Sequence, residues 1–209
     1  MESEKKDEVL AEDRILAAAI EEFIQKGFAG ARMQAIADRA NISKSALHYY
    51  YRHKERLFKL VLDKTAGRTL NKIHLDMSGL EGFREQFEYG FRYYYQTIYK
   101  NIKVVNFVFM ELKRNPAMIS AFVQESEIPD WIESLNIELE KEYQAGRIRQ
   151  IRAEQLILNI VSLCLFPYLG GGIVCQVLNI DSDTYKTMLK EREDSLLQFI
   201  KDALFIEEN

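Results

Sequence analysis

Proline is scarce in this 209-residue chain, with three in all, and the ten glycines are grouped rather than scattered, mainly at Gly27/Gly30 and Gly170-Gly171-Gly172. That scarcity argues against long structureless stretches, and no internal repeat or low-complexity tract is present. Cysteine is nearly absent: Cys164 and Cys175 are too few for a disulfide framework. If both lie on one helix they stand about 16 Å apart at ~1.5 Å per residue, too far to bridge, so a reducing compartment is expected. The first residues, Met1 to Glu8, lack the apolar run of a signal peptide, and the expected location is the cytoplasm. Histidine is limited to His48, His53 and His74, and neither cysteine neighbours any of them. No catalytic group, metal ligand set or cofactor is therefore expected. Gly170–Gly172 lacks the Lys-Ser/Thr ending of a phosphate loop and follows no strand, so it reads as a helix break or a close helix crossing. Glu21-Glu22 and similar acidic pairs read as solvated faces.

What the chain does have is charge of uneven distribution. The net charge is −4, yet residues 26–60 carry eight basic side chains against Asp38 and Glu55 alone. The flanking regions are each acidic. One basic island in an acidic protein is the charge map of a small nucleic-acid surface on a larger body. Six excess charges could also bind phosphates without reading sequence.

Helical periodicity runs throughout, and no alternating run is long enough for a strand. The spacing predicts helices over 10–26, closed by Gly27, then 33–40, 44–51, and a long one from His53 or Lys54 to about His74. Further helices are expected over 80–101, 104–114, 117–125, 129–145, 152–177 and 183–205, the last begun by Asp181-Ser182-Asp183. The expected fold is all-α with about nine helices. An N-terminal three-helix domain over 8–53 would be followed by a larger helical domain over 54–209. From Leu156 to Leu178 no residue is charged, which approaches the ~20 residues a bilayer span needs. Pro167 and the glycine triplet at its centre favour a buried helix that breaks near Pro167, with no membrane partner.

The segment 33–51 has the pattern of two short helices joined by a three-residue turn. Ala37 is the small residue at their crossing, while Ile36, Ala40, Ile42 and Leu47 take the core positions. Asn41 suits a left-handed turn position, and Ser43 is placed to cap the second helix. With Leu47 inward, Lys44, Ser45, His48 and Tyr49 face out, a set suited to phosphate oxygens, base edges and thymine methyls.

These residues carry a resemblance. Gly27-Phe28, the string Met33 to Tyr51, and Arg52-His53-Lys54-Glu55-Arg56-Leu57-Phe58 are similar to the DNA-binding domain of the TetR family of regulators, without a gap. The resemblance implies that Lys44, Ser45, Ala46, His48 and Tyr49 lie on a recognition helix in the major groove of double-stranded DNA. It implies that Gln34 reaches DNA from the preceding helix, and that Tyr50 and Lys54 hold phosphates. It implies a ligand-responsive homodimer, a repressor more often than an activator, on a palindromic operator. The sequence departs from the family where Ala31-Arg32 replaces the usual Thr or Ser ahead of the second helix, leaving it without its usual cap. His48 stands for a usual tyrosine, Tyr51 for phenylalanine and Asn41 for glycine, which puts the operator sequence in doubt and leaves His48 as a candidate pH-sensitive contact. A helical ligand-binding or interaction module that has lost specific DNA binding is the alternative, and the uncapped second helix and the net acidity are its support.

Beyond residue 60 the resemblance implies an effector and dimerisation domain. Tyr185, Met188/Leu189, Leu196, Phe199/Ile200 and Ala203/Leu204 make one stripe on the last helix, suited to a four-helix seam across a two-fold axis. Arg192 interrupts it, either snorkelling, pairing with a carboxylate, or forming an ion pair across the dimer. Aromatic residues crowd the middle of the chain, as an apolar pocket or a simple core would have them. Helix phase selects Tyr94, Phe107, Met110, Trp131, Phe166 and Tyr168 as candidates for a small, apolar or aromatic effector.

Overall fold

The structure is a computed structural model, and it describes residues 2–63, 76, 79–124 and 126–207. Eleven helices are described: α1 (Glu2–Gly30), α2 (Met33–Arg39), α3 (Lys44–Tyr50), α4 (Lys54–Leu62), α5 (Phe83–Lys100), α6 (Ile102–Arg114), α7 (Pro116–Gln124), α8 (Ile128–Gln144), α9 (Ala153–Leu169), α10 (Gly171–Leu178) and α11 (Ser182–Leu204). Among the described residues there is no strand, only an isolated antiparallel bridge from Ile148 to Phe205. The all-α expectation holds. The far end of the helix expected to reach His74 lies outside the described residues.

Contacts divide the chain into two compact units, one of residues Met1–Thr69 with Lys103–Glu125 and one of Leu70–Ile102 with Ser126–Asn209. In the first, α2 and α4 both pack on α1, and α3 packs on α2. Its centre holds Ile15, Ala19, Phe23, Ile36, Leu47 and Leu57, each almost fully buried. Helix α6 joins this unit through aromatic contact. The Phe107 ring stacks on Phe23 with centroids 5.7 Å apart and planes 7° from parallel. It meets Phe58 edge-on at 5.8 Å. Such pairs contribute beyond their area, by ~1 kcal/mol each.

Gly27 closes the main stretch of α1 as expected, at φ +67°, and a single further turn reaches Gly30. Only glycine takes that backbone without strain. A Cβ there would also stand 3.3 Å from Glu111 Oε1, a buried carboxylate that Arg114 engages at 3.0 Å.

In the second unit α5 presents Phe83, Phe87, Phe91, Tyr95 and Ile98 at four- and three-residue steps, and all are buried. They meet Leu139 of α8, Ala153, Leu156 and Cys164 of α9, and Leu196, Leu197, Ile200 and Leu204 of α11 in one core. The stripe expected on α11 therefore has two destinations. Leu196, Ile200 and Leu204 fill the unit's own core, whereas Met188 is 45% and Phe199 62% exposed. A wide apolar band on a helix can serve two neighbours at once.

The uncharged run also resolves into two helices. Helix α9 passes through Pro167 and ends at Gly170, and α10 leaves at 77°. The break falls at the glycine, not the proline, for a reason the contacts supply. Pro167 has no N–H to give the carbonyl of Leu163, four residues back. Arg192 Nη2 donates to that carbonyl instead, at 3.1 Å, and Tyr185 Oη donates to the Pro167 carbonyl at 2.7 Å. Among the described residues no single helix is long and apolar enough to cross a membrane. Cys164 and Cys175 fall on either side of the bend, and both are free thiols.

Candidate nucleic-acid interface

The turn between α2 and α3 is built by local chemistry. Asn41 adopts φ +55°, the left-handed geometry its short amide tolerates. Ser43 Oγ accepts from Ala46 N at 3.1 Å and caps α3. Ile36, Ala37, Ala40 and Leu47 are buried and Ile42 is half-buried, so the two helices share one small core.

Helix α2 lacks a side-chain cap from its own Arg32, as the sequence suggests. Its cap comes from α1. Glu22 Oε1 accepts from Arg32 N at 3.4 Å, and Arg39 of α2 reaches back to Glu21 at 2.9 Å and Glu22 at 3.2 Å. Glu22 is only 4% exposed, which corrects its reading as part of a solvated face. A carboxylate at a helix start also meets the positive end of the helix dipole. Sequence reasoning missed Glu22 because its partners lie ten and seventeen positions away.

With the pair so fixed, α3 turns a polar face outward. Lys44 and Ser45 are exposed, Ala46 and His48 are half-buried, and Tyr50 is 40% exposed. Tyr49 is 84% exposed, a large ring left in water. Gln34 is exposed on α2, its amide donating to Asp38 at 2.7 Å. His48 Nδ1 lies 3.3 Å from the Arg52 carbonyl, which can only accept, so that nitrogen carries the proton and Nε2 is the acceptor of the neutral ring.

Lys54, expected to hold a phosphate, also makes contacts within its own unit. Its ammonium donates to the carbonyls of Ala29 at 3.1 Å and Ala31 at 3.2 Å, and sits 4.8 Å above the centre of the Phe28 ring. Those contacts tie the start of α4 to the end of α1.

The six effector candidates are not brought into one described cavity. Phe107 is held in the aromatic cluster of the first unit, and Met110 of the same helix is 42% exposed. In the second unit Tyr94, Trp131 and Tyr168 are half-buried. Tyr168 Oη donates to Tyr95 Oη at 3.2 Å. Burial raises the Tyr94 and Tyr168 phenols well above their ordinary range and pushes the neighbouring Cys164 thiol up to about 12. Phe166 is 57% exposed and lines a groove of about 440 Å³ between α9, α10 and α11. Helix phase alone could not separate these environments, because Phe107 and Met110 fall in the first unit and Tyr94, Trp131, Phe166 and Tyr168 in the second. Among the described residues no cluster of metal-ligating side chains occurs.

A capped helix pair with an outward polar face, joined to a larger helical body, defines a helix-turn-helix protein. Comparison with known proteins narrows this. Residues 15–61 match the family of bacterial regulatory proteins, tetR family. The HTH-type transcriptional regulator RutR of Escherichia coli is 38% identical over 73 residues, which are 35% of this chain and 31% of RutR. The chain thus spans about a third of the length of the curated relatives it first matches. The biofilm operon icaADBC HTH-type negative transcriptional regulator IcaR of Staphylococcus epidermidis is 24% identical over 197 residues, 90% of this chain and 98% of that one. Among solved structures, the fatty acid degradation regulator FadR from Bacillus halodurans shares the fold with a TM-score of 0.64 at 18% identity, covering 90% of this chain and 94% of FadR. The transcriptional regulator FadR from Bacillus subtilis in complex with stearoyl-CoA gives 0.65 at 16% identity, over 88% and 95%. Over residues 15–61 the chain thus carries a domain similar to that of the TetR family of regulators.

Proposed function

We propose that this protein is a cytoplasmic, ligand-responsive transcriptional regulator, not an enzyme, that binds a palindromic operator as a homodimer and acts as a repressor. The observation that carries the reading is the α3 face, with Tyr49 84% exposed beside Lys44 and Ser45 on a rigid, doubly capped helix pair. Lys44, Ser45, Ala46, His48 and Tyr49 enter the major groove, Gln34 adds a contact from α2, and Tyr50 holds a phosphate. Lys54 acts by fixing α4 against α1, so its loss weakens binding through the scaffold. The hydrogen bond from Arg32 N to Glu22 weighs against a module that has lost DNA binding, whose other support is the net acidity of the chain.

Two subunits meet through the outer faces of α9 and α11, where Leu158, Phe166, Met188 and Phe199 stand exposed. The effector is small and apolar or aromatic. Bacillus subtilis FadR has been solved with stearoyl-CoA, whose long acyl chain is apolar while its coenzyme A moiety is polar and anionic, so only the acyl part matches that class. Its binding shifts the population between spacings of the two recognition helices.

Fluorescence anisotropy against the DNA upstream of the protein's own gene tests the reading. Sequence-preferring binding at physiological salt is expected. Lys44→Gln should lower the slope of log K against log salt by about 0.9, as one lost phosphate contact requires, whereas Lys54→Gln should weaken binding and leave the slope unchanged. Equal affinity for unrelated duplexes would sink the proposal.

A further inference from the structure

Arg192 is the one described residue with a buried side-chain polar atom left without a partner: its Nε has none. One arm of the guanidinium is spent on the Leu163 carbonyl freed by Pro167, which fixes the group in place without neutralising its charge. The acids next along the chain are taken, since Arg92 holds Glu193 at 3.1 Å and Asp194 at 2.7 Å. Glu191 lines the same groove as Arg192, is exposed, and forms no ion pair among the described residues. A half-buried cation and an exposed carboxylate therefore stand one position apart in the groove without pairing with each other.

The surrounding surface has the character of an interface. Met188, Arg192, Ser195 and Phe199 follow at steps of four, three and four, which keeps them on one side of α11. Phe166 of α9 borders that side, and Phe166, Met188 and Phe199 are 57%, 45% and 62% exposed. A two-fold axis perpendicular to α11 and passing between residues 191 and 192 would face Met188 with the partner's Ser195, a large side chain against a small one. The same register faces Arg192 with the partner's Glu191, twice by symmetry.

We infer that Arg192 and Glu191 form reciprocal ion pairs across the two-fold axis of the homodimer, and that these set the register in which the two α11 helices cross. The inference rests on the homodimer proposed above. Removing one member of a desolvated charge pair strands the other, which makes the register costly to shift.

The test is a charge-swap cycle on the full chain, read as the dimer dissociation constant by sedimentation equilibrium. E191R and R192E should each raise that constant at least ~10-fold, and the double variant should return to within ~3-fold of the parent protein. Glu191 has no ion-pair partner among the described residues, so E191R reports on the interface even if R192E disturbs the Pro167 turn. An unchanged constant for E191R, or a double variant no tighter than its weaker parent, overturns the ion pair while leaving the homodimer standing. A parent protein that stays monomeric at every concentration overturns the homodimer first, and the pair with it.

Discussion

Tyr49 leaves most of a phenol ring in water on a seven-residue helix, with the adjacent Tyr50 ring meeting it edge-on at 5.4 Å. Tyr49→Ala should therefore cost the fold less than about 0.5 kcal/mol. In anisotropy it should weaken operator binding by about 1–3 kcal/mol, the worth of a lost base contact. A matched loss in thermal stability would mean that the ring belongs to the fold instead. Cys164 is the opposite case. Burial holds its thiol at about 12, above the ordinary 9.0, so folding favours the protonated form. Its contribution to stability is complete below pH 9.0 and fades as pH rises from there toward 12. Native protein at pH 8 should accept iodoacetamide at half-buried Cys175 and leave Cys164 unmodified until denaturant is added, as peptide mass mapping would show. Asn41 and Ser43 were legible in the sequence because each acts on its immediate neighbours. Glu22 was not, because its role depends on a helix packed across from it.

The elements show what periodicity reads well and where it stops. Helix positions followed from apolar spacing and from Gly27, Pro116, Pro129 and Asp181 at their ends. The break after α9 was legible only as a region, because the sequence could not reveal that Arg192 and Tyr185 would satisfy the groups around Pro167 and carry the helix three residues further. Gly27 gives a prediction on this scale. An alanine there must hold φ +67°, ψ 168°, a region essentially closed to side-chain-bearing residues, and its Cβ crowds Glu111. Gly27→Ala should destabilise the first unit by about 1–3 kcal/mol, read as a lower urea midpoint. If the midpoint is unmoved, the kink is not a constraint on α1.

At the scale of the whole molecule, the expected division at residues 53/54 was a division of the sequence, whereas the contacts group residues 103–125 with the helix-turn-helix. Aromatic content could place Phe107 in a pocket or in a core, and the half-buried ring stacks on the buried Phe23 of the first unit. Phe107→Ala should therefore lower that unit's stability by about 2–3 kcal/mol, somewhat below the ~3–5 of a fully buried phenylalanine. It should weaken operator binding in step, although Phe107 lies more than fifty positions along the chain from Tyr51. Hydrogen exchange in α1 and α4 is the direct measurement, and unchanged protection there would refute the coupling.

That grouping bears on any attempt to transplant the reading head. A graft cut at residue 69 would leave behind the ring that stacks on Phe23 and the carboxylate that stands against Gly27. The transferable cassette is discontinuous: residues 1–69 travel only in the company of 103–125, and a host scaffold must offer two insertion points rather than one.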